Sequence, residues 1–280
     1  MDINPGEILE KVRKTKPLVH SITNYVTVND CANMLIACGG SPIMADDINE
    51  VSEITSICCA LNMNIGTLNH QTVPSMIAAG KKSNELGHPV IFDPVGVGAS
   101  QYRTEAAKTI MRDVKISAIR GNISEIKSLK TGGNTRGVDA YMGDEVTEGK
   151  LDGIIEFAKS FAREIDGVIV ITGRIDIVTD GMRAFIVKNG HEMLSKISGT
   201  GCMLSAMLGA FLGADRKNPL ESCVAAVCTM GLCGELAYEK LLKGEGNLAY
   251  KIKLFDEVFN MTCEKLNEGA KYEIREKDFR

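Results

Sequence analysis

The sequence predicts an α/β protein with a mostly parallel central sheet, helices on both faces and an antiparallel hairpin extension, and three observations carry this. Short apolar segments that read as strands recur along the chain, with helical segments between them. The run Val90-Ile91-Phe92 is apolar at consecutive positions, as in a strand buried on both faces. Residues 176–187 instead form two short strand-like runs around Asp180-Gly181, the signature of a hairpin, so antiparallel strands extend one side of the sheet. With 280 residues and no low-complexity or linker-like stretch, the chain reads as one domain over 1–280.

Taken in order, residues 5–14 form a helix with Ile8, Leu9 and Val12 on one face, stopping before Lys16-Pro17 and placed to pack on the sheet. A strand over 18–24 ends in polar groups, and a helix over 28–38 closes at Gly39-Gly40. Residues 41–45 repeat the pattern, with Met44 at the strand exit and Asp46-Asp47 opening a helix that carries Val51, Ile54 and Ile57. The strand over 60–66 carries asparagines at alternate positions, and a helix over 72–86 follows it. Residues 89–93 deliver Asp93 to a strand end, where Pro94 and two glycines turn the chain. The next strand ends at Arg120-Gly121-Asn122, and Ser124-Glu125-Ile126 starts a helix. The strand over 168–171 stops at Thr172-Gly173. After the hairpin come a buried helix ending near Gly213, a helix from Asn218-Pro219 towards Leu242, a break at residues 244–246, and a last helix capped by Asn247 and carrying Ile252, Phe255 and Phe259. Residues beyond Gly269 are too polar to assign.

The chemistry concentrates at Ile197-Ser198-Gly199-Thr200-Gly201-Cys202. Glycines bring the backbone close to a ligand, and a helix start offers unpaired N–H groups with a partial positive charge, so the loop is a seat for an anion such as phosphate. The same field favours a thiolate at Cys202. Other polar residues have bland readings beside the functional ones. His20 reads as a satisfied core histidine, Met44 as core filling or a ligand contact, and Asn122 with Glu125 as a helix cap. Asn24, at a strand exit, has a better claim to a site than His20. The glycine-rich segment 130–137 is either a flap over a ligand or a solvated loop.

Composition narrows the partners. A net charge of −4 with interspersed signs gives no basic surface for nucleic acid. The N-terminus lacks a basic start and apolar core, and no apolar run approaches a bilayer span, which points to a cytoplasmic protein free of the membrane. Nine cysteines, with Cys58, Cys59, Cys223, Cys228 and Cys233 in apolar surroundings, read as reduced core residues. Cys223 and Cys228, five apart on a helix, point away from each other, and no thiolate metal cage is visible.

Strand exits of an open parallel sheet gather on one edge, so Asp93, Arg120, Asn122, Glu125 and Thr172 can meet beside the Gly199 loop. Two carboxylates for a magnesium ion, an arginine and bare amides are what nucleotide phosphates require, yet no Walker A pattern is present. The segments His20-Ser21-Ile22-Thr23-Asn24, Ser41-Pro42-Ile43-Met44-Ala45, Asp93-Pro94-Val95-Gly96-Val97-Gly98-Ala99, Arg120-Gly121-Asn122-Ile123-Ser124-Glu125-Ile126 and Ser198-Gly199-Thr200-Gly201-Cys202 together resemble the hydroxyethylthiazole kinases of the ribokinase-like superfamily.

The resemblance implies a three-layer ribokinase-like fold and transfer of the ATP γ-phosphate to the hydroxyl of 4-methyl-5-(2-hydroxyethyl)thiazole, with Mg2+ required. It implies thiazole contacts at Met44, Gly199 and Asn24, ATP contacts at Arg120, Thr172 and Asn122, and metal and triphosphate carboxylates at Asp93 and Glu125. Gly199, Thr200, Gly201 and Cys202 become the catalytic loop, with Cys202 where most of the superfamily has an aspartate base. A homotrimer with pockets at subunit boundaries is also implied. A kinase for another hydroxymethylated heterocycle, of pyrimidine or pyridoxal type, and an inactive metabolite-binding regulator are the alternatives.

Overall fold

The computed structural model describes residues 3–132, 146 and 148–276. Its organising element is a sheet of nine strands among the described residues, in the order β2-β1-β3-β4-β5-β6-β7-β8-β9. The first six strands are parallel: β1 (Leu18–Ile22), β2 (Ser41–Ile43), β3 (Ala60–Asn64), β4 (Val90–Asp93), β5 (Ala118–Asn122) and β6 (Val168–Thr172). The rest are antiparallel: β7 (Asp176–Thr179), β8 (Ala184–Val187) and β9 (Tyr272–Arg275). Strand order reverses at β1, whose neighbours are β2 and β3, so a crevice opens between the exits of β1 and β3.

Two helical layers cover the sheet. One face carries α1 (Pro5–Thr15), α2 (Val28–Cys38), α8 (Thr200–Ala214), α9 (Pro219–Glu239) and α10 (Asn247–Asn260). The other carries α3 (Val51–Ile57), α4 (Thr72–Glu85), α5 (Gln101–Asp113), α6 (Ile123–Thr131) and α7 (Leu151–Ile165). Successive strand residues feed opposite cores: Ile91 enters the α8 side, while Val90 and Phe92 enter the α4 side. That explains the unbroken apolar reading of this strand.

The structure changes several sequence-based expectations. Helix α1 packs chiefly on α8, α9 and α11 (Cys263–Gly269), because α8 already covers β1, β3 and β4 and leaves α1 an outer position. Helix α3 begins at Val51, since Asp47 first closes a turn by accepting from Asn49 N at 2.8 Å. Helix α8 starts at Thr200, α9 ends at Glu239, and Gly246 caps α10. Asn247 is the first residue of α10, and its amide donates to Lys196 O at 3.0 Å. The polar tail beyond Gly269 supplies β9, where Tyr272 and Ile274 turn inward and the Tyr272 ring lies 5.8 Å from that of Phe185. Contrary to the sequence reading, α9 is long and apolar enough to cross a membrane, but most of it is buried between neighbouring helices and the sheet.

Helix α8 is apolar on all sides because it is sandwiched between the sheet and the outer helices. Its approach to the sheet is close at Gly209, where a Cβ would stand 2.8 Å from Val19 Cγ1. Gly209→Val should therefore lift α8 from β1 and lower unfolding stability by about 1–3 kcal/mol, as overpacked cores do. A urea midpoint unchanged from the parent protein would contradict this.

Candidate active site

The exits of β1, β3, β4, β5 and β6 lie side by side, and α8 points its N-terminus at the same edge. Gly199, with φ of 89°, caps α8 in a left-handed conformation that suits glycine, and a Cβ there would collide with Thr27. In the first turn Met203 N bonds Gly199 O, whereas among the described residues no bond engages Thr200, Gly201 or Cys202 N–H. The Thr200 hydroxyl donates to Leu194 O at 3.0 Å, away from those amides.

Arg120 lies against this helix start, since a Cβ on Gly201 would overlap its guanidinium. Its Nη2 donates to Thr172 Oγ1 at 2.5 Å and its Nη1 is 3.7 Å from Asp93 Oδ2, while its Nε is buried without a partner. A cation beside a positive helix terminus is unfavourable alone, and both become favourable around a shared anion. The glycine loop and Arg120 thus form one cradle.

The carboxylates face it. Asp93 is fully buried; its Oδ2 accepts from Asn64 Nδ2 at 2.8 Å and Ser205 Oγ at 2.7 Å, and its Oδ1 has no hydrogen-bond partner. Burial pushes the Asp93 carboxyl up, against the pull of Arg120 and its hydrogen bonds. Glu125 accepts from Gly96 N and Asn122 N at 2.9 Å each, and Asn122 Oδ1 accepts from Glu125 N at 2.8 Å, a complete capping box on α6. Burial and the Asp93 charge raise Glu125 to about 7. Among the described residues no three His, Cys, Asp or Glu gather as a metal cluster. The donor set, one free buried oxygen beside a second acid, suits a hard cation that takes most of its ligands from phosphate and water.

Cys202 sits between the exits of β1 and β3. Its sulfur accepts from Asn24 Nδ2 at 3.3 Å and Asn64 Nδ2 at 3.2 Å. The expected thiolate is not favoured, because burial and the nearby Asp93 charge push the thiol above its ordinary value, outweighing Arg120 and the hydrogen bonds. Asn24 is itself buried, and its Oδ1 accepts from Thr27 N at 3.1 Å and Thr27 Oγ1 at 3.0 Å.

Met44 lies half-buried one residue past β2, at the same sheet edge, packed on the core cluster that includes Cys202. His20 is a core histidine, its ring nitrogens paired with Thr55 Oγ1 at 2.9 Å and Ala45 O at 2.7 Å. Residues 133–137 of the glycine-rich segment lie outside the described residues. Sequence reasoning missed Thr27, Asn64, Ser205 and Asp176. Only the alternating asparagines at 62 and 64 offered a signal. Asp176 accepts from Gly173 N at 2.8 Å beside Thr172, and burial raises it to about 7.

A parallel sheet with a reversal at β1, flanked by helices, with an anion cradle at a glycine-initiated helix facing buried acids, defines the ribokinase-like class. The chain belongs to the hydroxyethylthiazole kinase family, whose model matches residues 9–264. It is 58% identical to a hydroxyethylthiazole kinase of Clostridium acetobutylicum, covering 95% of this chain and 98% of that one. Identity to a Clostridium beijerinckii hydroxyethylthiazole kinase is 49%, over 96% and 97% of the two chains. The solved structure of a hydroxyethylthiazole kinase protein from Pyrococcus horikoshii superposes with a TM-score of 0.86 at 36% identity, covering 97% of this chain and 99% of that one.

The raised carboxyls give a pH signature. Folded Glu125 keeps its proton up to about pH 7, whereas the unfolded side chain releases it near 4.5. The folded state binds the extra proton between those values, so this stabilisation is complete below about pH 4.5 and is lost as pH rises through about 7. In metal-free protein, Glu125→Gln should flatten the fall in Tm over this window, leaving a residual slope from Asp93 and Asp176. Parallel Tm curves for parent and variant would contradict the assignment.

Proposed function

We propose that this chain is a single kinase domain over 1–280 that transfers the γ-phosphoryl group of ATP to the primary hydroxyl of 4-methyl-5-(2-hydroxyethyl)thiazole, giving the thiazole phosphate used in thiamine biosynthesis and salvage. The observation that carries this reading is the bare N-terminus of α8, shared with Arg120 and facing Asp93, with Cys202 held beside it. In this reading Arg120 and Thr172 take the nucleotide phosphates, and Met44 and Gly199 border the thiazole. The Asn24 carboxamide, fully engaged within the protein, orients Cys202 instead of meeting the ring. Asn122 serves through its cap, which holds Glu125 at the edge of the site.

Asp93 and Glu125 would hold Mg2+, and that ion, when bound, supplies neutralisation of charge on the phosphates. Glu125, with both oxygens already accepting backbone N–H groups, is suited to an indirect role through water. The Gly201 and Cys202 amides stabilise charge on the moving phosphoryl group, and Arg120 screens it from the acids. Cys202 enters as a neutral thiol, so its sulfur orients the alcohol, and the alcohol proton passes to an oxygen of the transferring phosphoryl group as charge develops there. In a loose transition state this assistance contributes less than the electrostatic cradle.

The reading extends to a cytoplasmic homotrimer. Tyr25, Val26 and Ile48 are exposed beside Asn24 and Met44, apolar surface that a neighbouring copy would cover at the pocket mouth. Free thiols at nine cysteines suit a reducing compartment.

ADP release should require both the thiazole alcohol and Mg2+, and hydroxymethylpyrimidine and pyridoxal should be poor acceptors. Release that is independent of the thiazole would refute the reading. Cys202→Ala should lower kcat by about 10²-fold without abolishing it. Gly201→Val, which drives Arg120 out of the cradle, should cost more than about 10³-fold with the fold retained. Equal and small losses would remove the cradle from the mechanism.

A further inference from the structure

We infer that Asn64 is a positioning residue for the proposed transfer, fixing the Cys202 sulfur and the Asp93 carboxylate relative to each other through one carboxamide. The inference rests on the functional reading above. Asn64 ends β3, is 2% exposed, and stands opposite Asp93 in the β3–β4 register. Its Oδ1 accepts from Gly66 N at 2.8 Å and from Asn24 Nδ2 at 3.0 Å. Its Nδ2 donates to Asp93 Oδ2 at 2.8 Å and to Cys202 Sγ at 3.2 Å.

The orientation of this amide is set by chemistry. A backbone N–H can only donate, so Gly66 N requires an oxygen, and the nitrogen must then face the carboxylate and the sulfur. The same logic holds one step outward, where Thr27 N fixes the Asn24 oxygen and turns the Asn24 nitrogen towards Cys202. Two backbone amides, from loops following different strands, thereby set the direction in which both donors meet one sulfur. Without Asn64, Asp93 Oδ2 would keep the Ser205 hydroxyl and the long contact with Arg120, and the sulfur would be held by Asn24 alone, so both would be less tightly fixed.

Asn64 reaches the reacting groups only through Asp93 and Cys202, so its loss should appear in kcat and leave the KM for the thiazole nearly unchanged. Asn64→Asp is the sharpest variant. It keeps the oxygen facing Gly66 and Asn24, and it replaces the shared donor with an acceptor pressed against a buried carboxylate. We expect kcat to fall about 100-fold, with the thiazole KM changed less than about threefold and Tm showing a folded protein.

A double-mutant cycle separates positioning from bulk structure. If Asn64 acts partly through the sulfur, Asn64→Ala should cost at least about fivefold less in a Cys202→Ala background than in the parent. Losses that simply multiply, or an Asn64→Asp enzyme with parental kcat, overturn the inference. Should both Asn64 variants fail to fold, Gly66→Ala probes the two asparagines together, because its methyl would press on Asn64 Oδ1 at 2.9 Å and on Asn24 Cβ at 3.0 Å; a parental kcat there overturns the inference too. A parent enzyme without thiazole-dependent ADP release removes the functional reading and this inference with it. Parental activity with unaffected variants removes only the role of Asn64.

Discussion

The close contact of α8 with the face of the sheet is the constraint on which the site depends. Gly209 lets the helix backbone settle over Val19, and further along the same helix Ser205 bonds Asp93 while Cys202 meets the β1 and β3 exits. Residues 202, 205 and 209 recur at helical spacing on one face, and all are small. A bulky residue at any of them would raise the helix and carry its bare N-terminus away from the acids. The packing that stabilises the core and the geometry that gathers an anion cradle are therefore one contact.

The order of the strands sets what this helix start can meet. Because the sheet reverses at β1, the space above the β1 and β3 exits is not filled by a crossover, and the N-terminus of α8 enters it. Polar groups then line up by strand: Asn24 after β1, Asn64 on β3, Asp93 on β4, Arg120 on β5 and Thr172 on β6. Large sequence separations thus become closeness at one sheet edge: Asn64 stands directly opposite Asp93 in the ladder, and Arg120, opposite Val170, reaches across to Thr172 with its side chain.

Much of this was legible in the residues, for identifiable reasons. Strands such as Val90–Asp93 are buried on both faces, and continuous apolar runs ending in a polar residue betray both the strand and its exit. Glycines before α8 marked the turn that starts the helix, where Gly199 is the cap. The polar helix α5, the helix α7 and the tail strand β9 were not read, since α5 shows the core only Ala106, Ala107 and Ile110, and β9 turns only Tyr272 and Ile274 inward. Asn64 and Ser205 were hidden because a lone polar residue in an apolar run states nothing about its partners, which come from distant strands. The acidity of Cys202 was misjudged for a related cause. Its place at a helix start is local and readable, whereas its burial and the charge of Asp93 are tertiary.

Those tertiary terms give the site its character. Two buried acids, Asp93 at the end of β4 and Glu125 at the start of α6, have raised proton affinity, and a guanidinium with unpaired amides stands beside them. Neither half is electrostatically satisfied alone, because desolvation penalises each charge and among the described residues one long ion pair, Arg120 with Asp93, joins them. A ligand pair that brought a cation to the acids and an anion to the amides would relieve both penalties together, and by linkage each partner would favour the other's binding. Cys202 lies where the two halves meet. The Asn24 and Asn64 donors hold the sulfur at that meeting point. Burial, more than any charge, keeps this thiol protonated, so what the surrounding residues fix is the place of the sulfur and not an unusual acidity.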